Sequence, residues 1–384
     1  MKFLRGFSFW FFLPFLGIIL LMYLFNVDYI LKAVRVTYFN GYKTAFLDDY
    51  NYFDNRTIES GTAQPWSISE YYNKIPATQR LSDTHNELKT IAFLIIKNDS
   101  IWHESYFDRY GESSHTNSFS MAKSYVSASL GKAVMEGKIR SLDQPVSDFF
   151  SEFSEGLAAK MTVGDLSSMA SGLNWDEQYY SPFSIVTRAY FGDDLKKVIL
   201  NLKTTEEPAQ KFKYSSGDTQ LLAMVIEKAT GERLSDYVSK HFWKPLGCEN
   251  EAFWQVDNLD GIEKSYCCIA SNARDFARLG KLYKNKGNWN GKQILDSAFV
   301  ELSTSSRFDK APYGYGFWLS DYLGKNIFYM RGHLGQFVIV IPEDDLIIVR
   351  LGHVKGLQTE TDSHSNDLYI YIDETYEMLK NKGG

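Results

Sequence analysis

The chain has 384 residues, 44% hydrophobic and 23% charged, with a formal charge of −6. That length supports one large domain or two with a sizeable core, and the balance excludes a disordered chain. The negative charge argues against a nucleic-acid partner, which needs a basic surface to displace counterions.

Lys2 and Arg5 precede an uncharged apolar run from Phe7 to about Phe25. At about 1.5 Å per residue, about 19 residues reach roughly 28 Å, close to the thickness of a bilayer core. The run lacks the small-x-small exit of a cleaved signal peptide, so residues 1–26 read as an uncleaved transmembrane signal anchor. Basic residues at the extreme N-terminus hold that end in the cytoplasm. The rest of the chain is then expected outside it, in a periplasmic or extracytoplasmic position. Residues 27–89 are polar and spotted with aromatics, with turn signals at Asn40-Gly41 and Gly61, and read as a stalk packed partly on the domain behind it.

Regular patterning starts at Ile91. The β-branched run Ile91 to Ile96, the turn Asn98-Asp99-Ser100 and the alternating run Ile101 to Tyr106 predict a hairpin. Met121 to Lys138 turns helical, with Val126, Leu130, Ala133 and Val134 on one apolar face. An insertion over about 140–302 reads as helical pieces, among them Gln220 to Lys228 ending at Gly231, and Ala273 to Tyr283. Strands return at Tyr315 to Leu319, Ile327 to Met330, Phe337 to Ile341 and Leu346 to Leu351, before a closing helix from about Asp367 to Lys382. The expected architecture over 90–384 is α/β (α+β). An antiparallel sheet collects N- and C-terminal strands between helices, beside a mainly helical second subdomain. Cys248, Cys267 and Cys268 are odd in number and lack the Cys/His spacing of a zinc site. Buried, unpaired thiols are expected ahead of a bridge, with no metal.

Three short constellations carry chemistry. Ser120-Met121-Ala122-Lys123 opens a helix, which puts Lys123 one turn on from Ser120 and on the same face. The positive end of the helix dipole and partial burial both disfavour an ammonium there, so a neutral Lys123 amine is a candidate acceptor for the serine proton. Tyr214-Ser215-Ser216 stands just before a second helix, where a phenol can share that proton relay. His333-Leu334-Gly335-Gln336 is expected on a strand, where glycine lets a substrate lie close and the next N–H faces a developing oxyanion.

The order Ser-x-x-Lys, Tyr-x-Ser, His-x-Gly resembles the serine β-lactamase and penicillin-binding protein superfamily. It lies on the class C side, with the esterases and 6-aminohexanoate-dimer hydrolases. Blocks such as Ser141-Leu142-Asp143-Gln144-Pro145-Val146 and Ala273-Arg274-Asp275-Phe276-Ala277-Arg278 look like the same family, and the match runs from about Ile91 to Leu351. The resemblance implies a β-lactamase/transpeptidase-like fold and an acyl-enzyme mechanism without cofactor. Ser120 would be the nucleophile, Lys123 and Tyr214 the proton relay, and the N–H groups of Ser120 and Gln336 the oxyanion hole. Ser216, His333 and Gly335 would contact substrate, and Trp175-Asp176-Glu177-Gln178-Tyr179-Tyr180 resembles a substrate-covering loop that brings in Tyr179 and Tyr180. Ser216 and His333 stand where asparagine and lysine suit a β-lactam, which favours a small amide or ester. The rival readings are a D-alanyl-D-alanine peptidase or β-lactamase, and a non-catalytic binder that keeps the pocket.

Overall fold

The computed structural model describes residues 14–359 and 361–381; Lys2, Arg5 and positions 7–13 of the apolar run lie outside the described residues. The described part of that run forms a helix, Pro14–Leu24, bent by 116° from the following segment, Tyr29–Asn40. Among the described residues, no single helix is long and apolar enough to cross a membrane. Phe15, Leu16, Ile18, Leu20 and Leu24 on the first helix are each more than half exposed.

Among the described residues, thirteen strands follow in chain order. They are β1 (Asn55–Ile58), β2 (Ser67–Ile68), β3 (Thr90–Lys97), β4 (Ser100–Tyr106), β5 (Thr116–Asn117), β6 (Ala252–Gln255) and β7 (Ile269–Ser271), then β8 (Asn288–Trp289), β9 (Lys292–Gln293), β10 (Trp318–Ser320), β11 (Ile327–Gly332), β12 (Gln336–Ile341) and β13 (Leu346–Gly352). The main sheet runs β10-β11-β12-β13-β3-β4-β2, so the C-terminal strands do meet the N-terminal hairpin. Every pair in it is antiparallel except β2–β4. The β3–β4 turn passes through Asn98 and Asp99 at φ 50° and 57°, the left-handed region that two-residue hairpins need and that Asn and Asp tolerate best.

Strand β3 is buried on both faces, which explains its unbroken apolar run. Leu94 and Ile96 face the core shared with the middle helices. Phe93 and Ile95 face a second core with Leu368, Tyr371 and Ile372 of the last helix, Asn366–Lys380. The period of two along a strand accounts for that division.

Three features depart from the sequence expectation. The middle of the chain, expected as helical pieces, also supplies β6 and β7 to a second sheet of order β1-β6-β7-β5, and the small hairpin β8–β9. Strands of two to four residues are too short to show a period. The helix Ala122–Met135 is buried on nearly every side, not on one face, because it runs through the middle of the domain. Cys267 and Cys268 are joined to each other, against the expectation of unpaired thiols, while Cys248 is free and buried. The chain turns through Cys268 at φ 79°, a local bend that no cysteine count announces.

Residues 27–89 are woven into the domain. β1 pairs with β6 and β2 with β4. The helix Gln79–Glu87, capped by the Thr78 hydroxyl on Leu81 N–H, packs against the last helix.

Candidate active site

Strand β5 ends at Asn117, and the chain enters the central helix through a tight turn, Phe119–Met121, that carries Ser120. Phe119 sits at φ 46°, a conformation that costs a side-chain-bearing residue roughly 1–2 kcal/mol. Side chain and backbone hold it there. Asn117 Oδ1 accepts Phe119 N–H at 2.8 Å, and Ser118 N–H donates to the Ile269 carbonyl of β7 at 2.7 Å. Gly332, at the end of β11, packs beneath this strap; a Cβ there would fall 2.2 Å from the Ser118 carbonyl oxygen. The half-buried Ser120 hydroxyl is thus presented from a braced turn.

Lys123 is fully enclosed at the first turn of the helix. Its Nζ lies 3.1 Å from Ser120 Oγ, 3.1 Å from Ser216 Oγ and 2.7 Å from the Tyr266 carbonyl oxygen. The Tyr266 carbonyl can only accept. Ser216 Oγ also accepts, since its own hydrogen goes to Glu177 Oε2 at 3.2 Å. Two N–H bonds of a neutral amine satisfy those two partners, and the lone pair is left pointing at the Ser120 hydroxyl. Burial brings the Lys123 pKa down to about 8, against the nearby carboxylates of Glu177 and Asp218. The geometry therefore accommodates a base.

Tyr214 stands two residues before the helix Ser216–Thr230, whose N-cap, Ser215, accepts from Asp218 N–H. Its ring centroid is 5.1 Å from Lys123 Nζ. Burial and the Glu177 carboxylate push the phenol well above its usual range, against a smaller opposing effect of Ser120. A phenol held that high stays protonated at neutral pH, which suits a donor better than a base.

Of the residues expected to contact substrate, Ser216 is already engaged by Lys123 and Glu177. His333 and Gly335 are not on a strand, as expected, but in a short turn, His333–Gly335, between β11 and β12. Leu334 at φ 64° and Gly335 at φ 81° break the extended path. The glycine also answers a different need from the one expected: a Cβ there would come within 2.5 Å of Arg350 Nη1, which donates to the Leu334 and Gly335 carbonyls. His333 lies between Tyr179, stacked at 5.6 Å, and the edge of Phe119 at 5.5 Å. Burial, helped by Lys355, lowers its pKa to about 4, so the ring is neutral. Gln336 opens β12 with its side chain turned inward onto the His333 and Gly352 carbonyls. Tyr180 is largely exposed at the mouth of the cavity over Ser120.

Two participants were not singled out from the sequence. Glu177, inside the Trp175–Tyr180 stretch, accepts from Ser216 N–H and from the Tyr179 hydroxyl. The Tyr266 carbonyl is a backbone group, and side-chain motifs carry no signal for it.

The family model for beta-lactamase matches residues 78–367. The chain belongs to the beta-lactamase family and is a serine hydrolase. It is 25% identical to the 6-aminohexanoate-dimer hydrolase of Paenarthrobacter ureafaciens over 316 residues, 73% of this chain and 79% of that protein. A solved Bacillus anthracis protein assigned as a 6-aminohexanoate-dimer hydrolase shares the fold at TM-score 0.69 and 22% identity, covering 85% of this chain and 90% of that one. The D-amino acid amidase of Ochrobactrum anthropi SV3 shares it at TM-score 0.58 and 17% identity, covering 79% and 97%.

Proposed function

We propose that the chain hydrolyses a small amide or ester through an acyl-enzyme on Ser120. As the Ser120 Oγ–carbon bond forms, the serine proton passes to the Lys123 amine. The oxyanion is met by the Ser120 and Gln336 N–H groups. Tyr214, held as a phenol, hands a proton to the departing amine or alcohol and is reprotonated through Lys123. Water then attacks the acyl-enzyme by the reverse of the same relay. The observation that carries the reading is the three-way placement of Lys123 Nζ, with its lone pair free for Ser120 alone. The names of the relatives, a 6-aminohexanoate-dimer hydrolase and a D-amino acid amidase, support the substrate class.

The preference for neutral substrates rests on His333. A neutral ring gives no fixed charge to a substrate carboxylate, and a charged hydrogen bond is worth about 1.5–3 kcal/mol. Short esters and linear amides are therefore expected to exceed penicillins and cephalosporins in kcat/KM by roughly one to two powers of ten. Steady-state assays at pH 8 decide it. A cephalosporin turned over better than every ester and amide tested overturns this reading in favour of cell-wall chemistry.

The placement of the domain outside the cytoplasm is also proposed, on the strength of Lys2, Arg5 and the apolar run that follows. Protease added to spheroplasts is expected to degrade the domain; full protection would contradict the orientation.

A further inference from the structure

The cavity above Ser120 is not walled by the matched family region alone. Ser120, Ser216, Tyr266 and His333 line it, together with Val186 and Phe191. A further stretch of its wall comes from Ala33, Thr37, Tyr38, Thr44 and Ala45. These five residues precede position 78, where the family match begins.

That wall is fixed in place. Thr37 Oγ1 donates to the Ala33 carbonyl at 2.8 Å, and the rings of Tyr42 and Phe46 stack at 3.9 Å. The segment is then pinned to the strap that carries the nucleophile. Asn117 N–H donates to the Leu47 carbonyl at 2.8 Å. Buried Asp49 accepts from Asn117 Nδ2 at 2.9 Å, from Tyr190 Oη at 2.7 Å and from Gln255 Nε2 at 3.0 Å. Asn117 is the residue whose Oδ1 holds Phe119. The wall and the nucleophile therefore share one scaffold.

Apolar and aromatic side chains dominate the lining, and the cavity holds about 150 Å³. A cavity of about that size takes a benzene-sized group. Among the described residues that line it, Lys43, exposed at the rim, is the one side chain with a fixed positive charge.

We infer that residues 33–45 determine specificity, and that the substrate carries an uncharged apolar group of about six carbons on one side of its scissile carbonyl. This rests on the acyl-enzyme reading above and narrows it. Ala33 and Ala45 limit the room in the cavity, because a larger side chain at either position occupies the volume the apolar group needs.

The test uses two ester series followed by pH-stat. One lengthens the acyl side from methyl acetate to methyl hexanoate and methyl phenylacetate; the other lengthens the alcohol of an acetate ester over the same range. One of the two is expected to rise by roughly fourfold in kcat/KM per added methylene and to level off near six carbons. In Ala33→Leu, and separately in Ala45→Leu, the ratio of kcat/KM for the six-carbon ester to that for methyl acetate is expected to fall at least tenfold. Thermal melting of each variant shows which of the two has kept its fold, and one folded variant suffices. Flat series in the wild-type enzyme, or a ratio unchanged in a folded variant, overturns the inference while Ser120 acylation still stands. Failure of every ester to acylate Ser120 instead strikes the acyl-enzyme reading itself.

Discussion

Ser120→Ala is expected to abolish labelling by a fluorophosphonate and to lower kcat/KM by roughly four to six powers of ten, the range seen when a serine hydrolase loses its nucleophile. The Oγ is the only atom removed, and it lies half-exposed where Ser120 lines the cavity, so the fold should change by less than about 1 kcal/mol. Mass spectrometry of the intact protein after incubation with a slow ester reads the result directly: an adduct on the wild-type chain, none on the variant. Equal adducts on both would remove Ser120 from the mechanism, whatever the residual rate.

The second large effect concerns the base. Lys123 acts as a base only as the neutral amine, so acylation should rise as pH climbs through about 8. Lys123→Ala should lower the acylation rate by roughly two to four powers of ten and remove that limb. Glu177→Gln tests the cause of the residual charge. The Glu177 carboxylate favours the ammonium form, in opposition to burial. Removing its charge lowers the Lys123 pKa further, so the rising limb should move to lower pH even if the maximal rate drops through loss of the Ser216 contacts. Pre-steady-state acylation between pH 5.5 and 9.5 measures both. A wild-type profile that is flat across this range would rule out Lys123 as the base, and an unmoved limb in Glu177→Gln would separate the carboxylate from the lysine.

The protonation of Tyr214 belongs to the same electrostatic balance. Since Glu177 helps hold the phenol protonated, one carboxylate poises both ends of the relay: it favours the charged form of Lys123 and the neutral form of Tyr214. Neither effect depends on touching the substrate.

What could be read from the chain alone is what the backbone period decides over a few residues. Ser120 and Lys123 are three apart, so any helix through them puts both on one face, and their contact follows. Asn98-Asp99 between two apolar runs makes a tight hairpin because these residue types tolerate a left-handed turn. Gly231, at φ 75°, stops its helix for the same steric reason. The apolar runs near the C-terminus became β11, β12 and β13 within one or two residues of their expected limits. The remainder depends on where distant segments come to rest. Tyr266 is 143 positions from Lys123, and only the packing of β7 beside the strap brings its carbonyl to the amine. Glu177 looks like any loop acid until the loop folds over Ser216. His333 is expected on a strand because its neighbours are β-rich, whereas it lies in a turn whose Gly335 is packed against buried Arg350. A further stretch of the cavity wall comes from residues read as a stalk, since nothing in their local pattern records that Asp49 will be buried against Asn117 and Tyr190. Local geometry is set by sterics within one or two turns of chain, whereas these contacts exist only once both cores have closed and groups such as Asp49 and Lys123 meet the partners that their desolvation calls for.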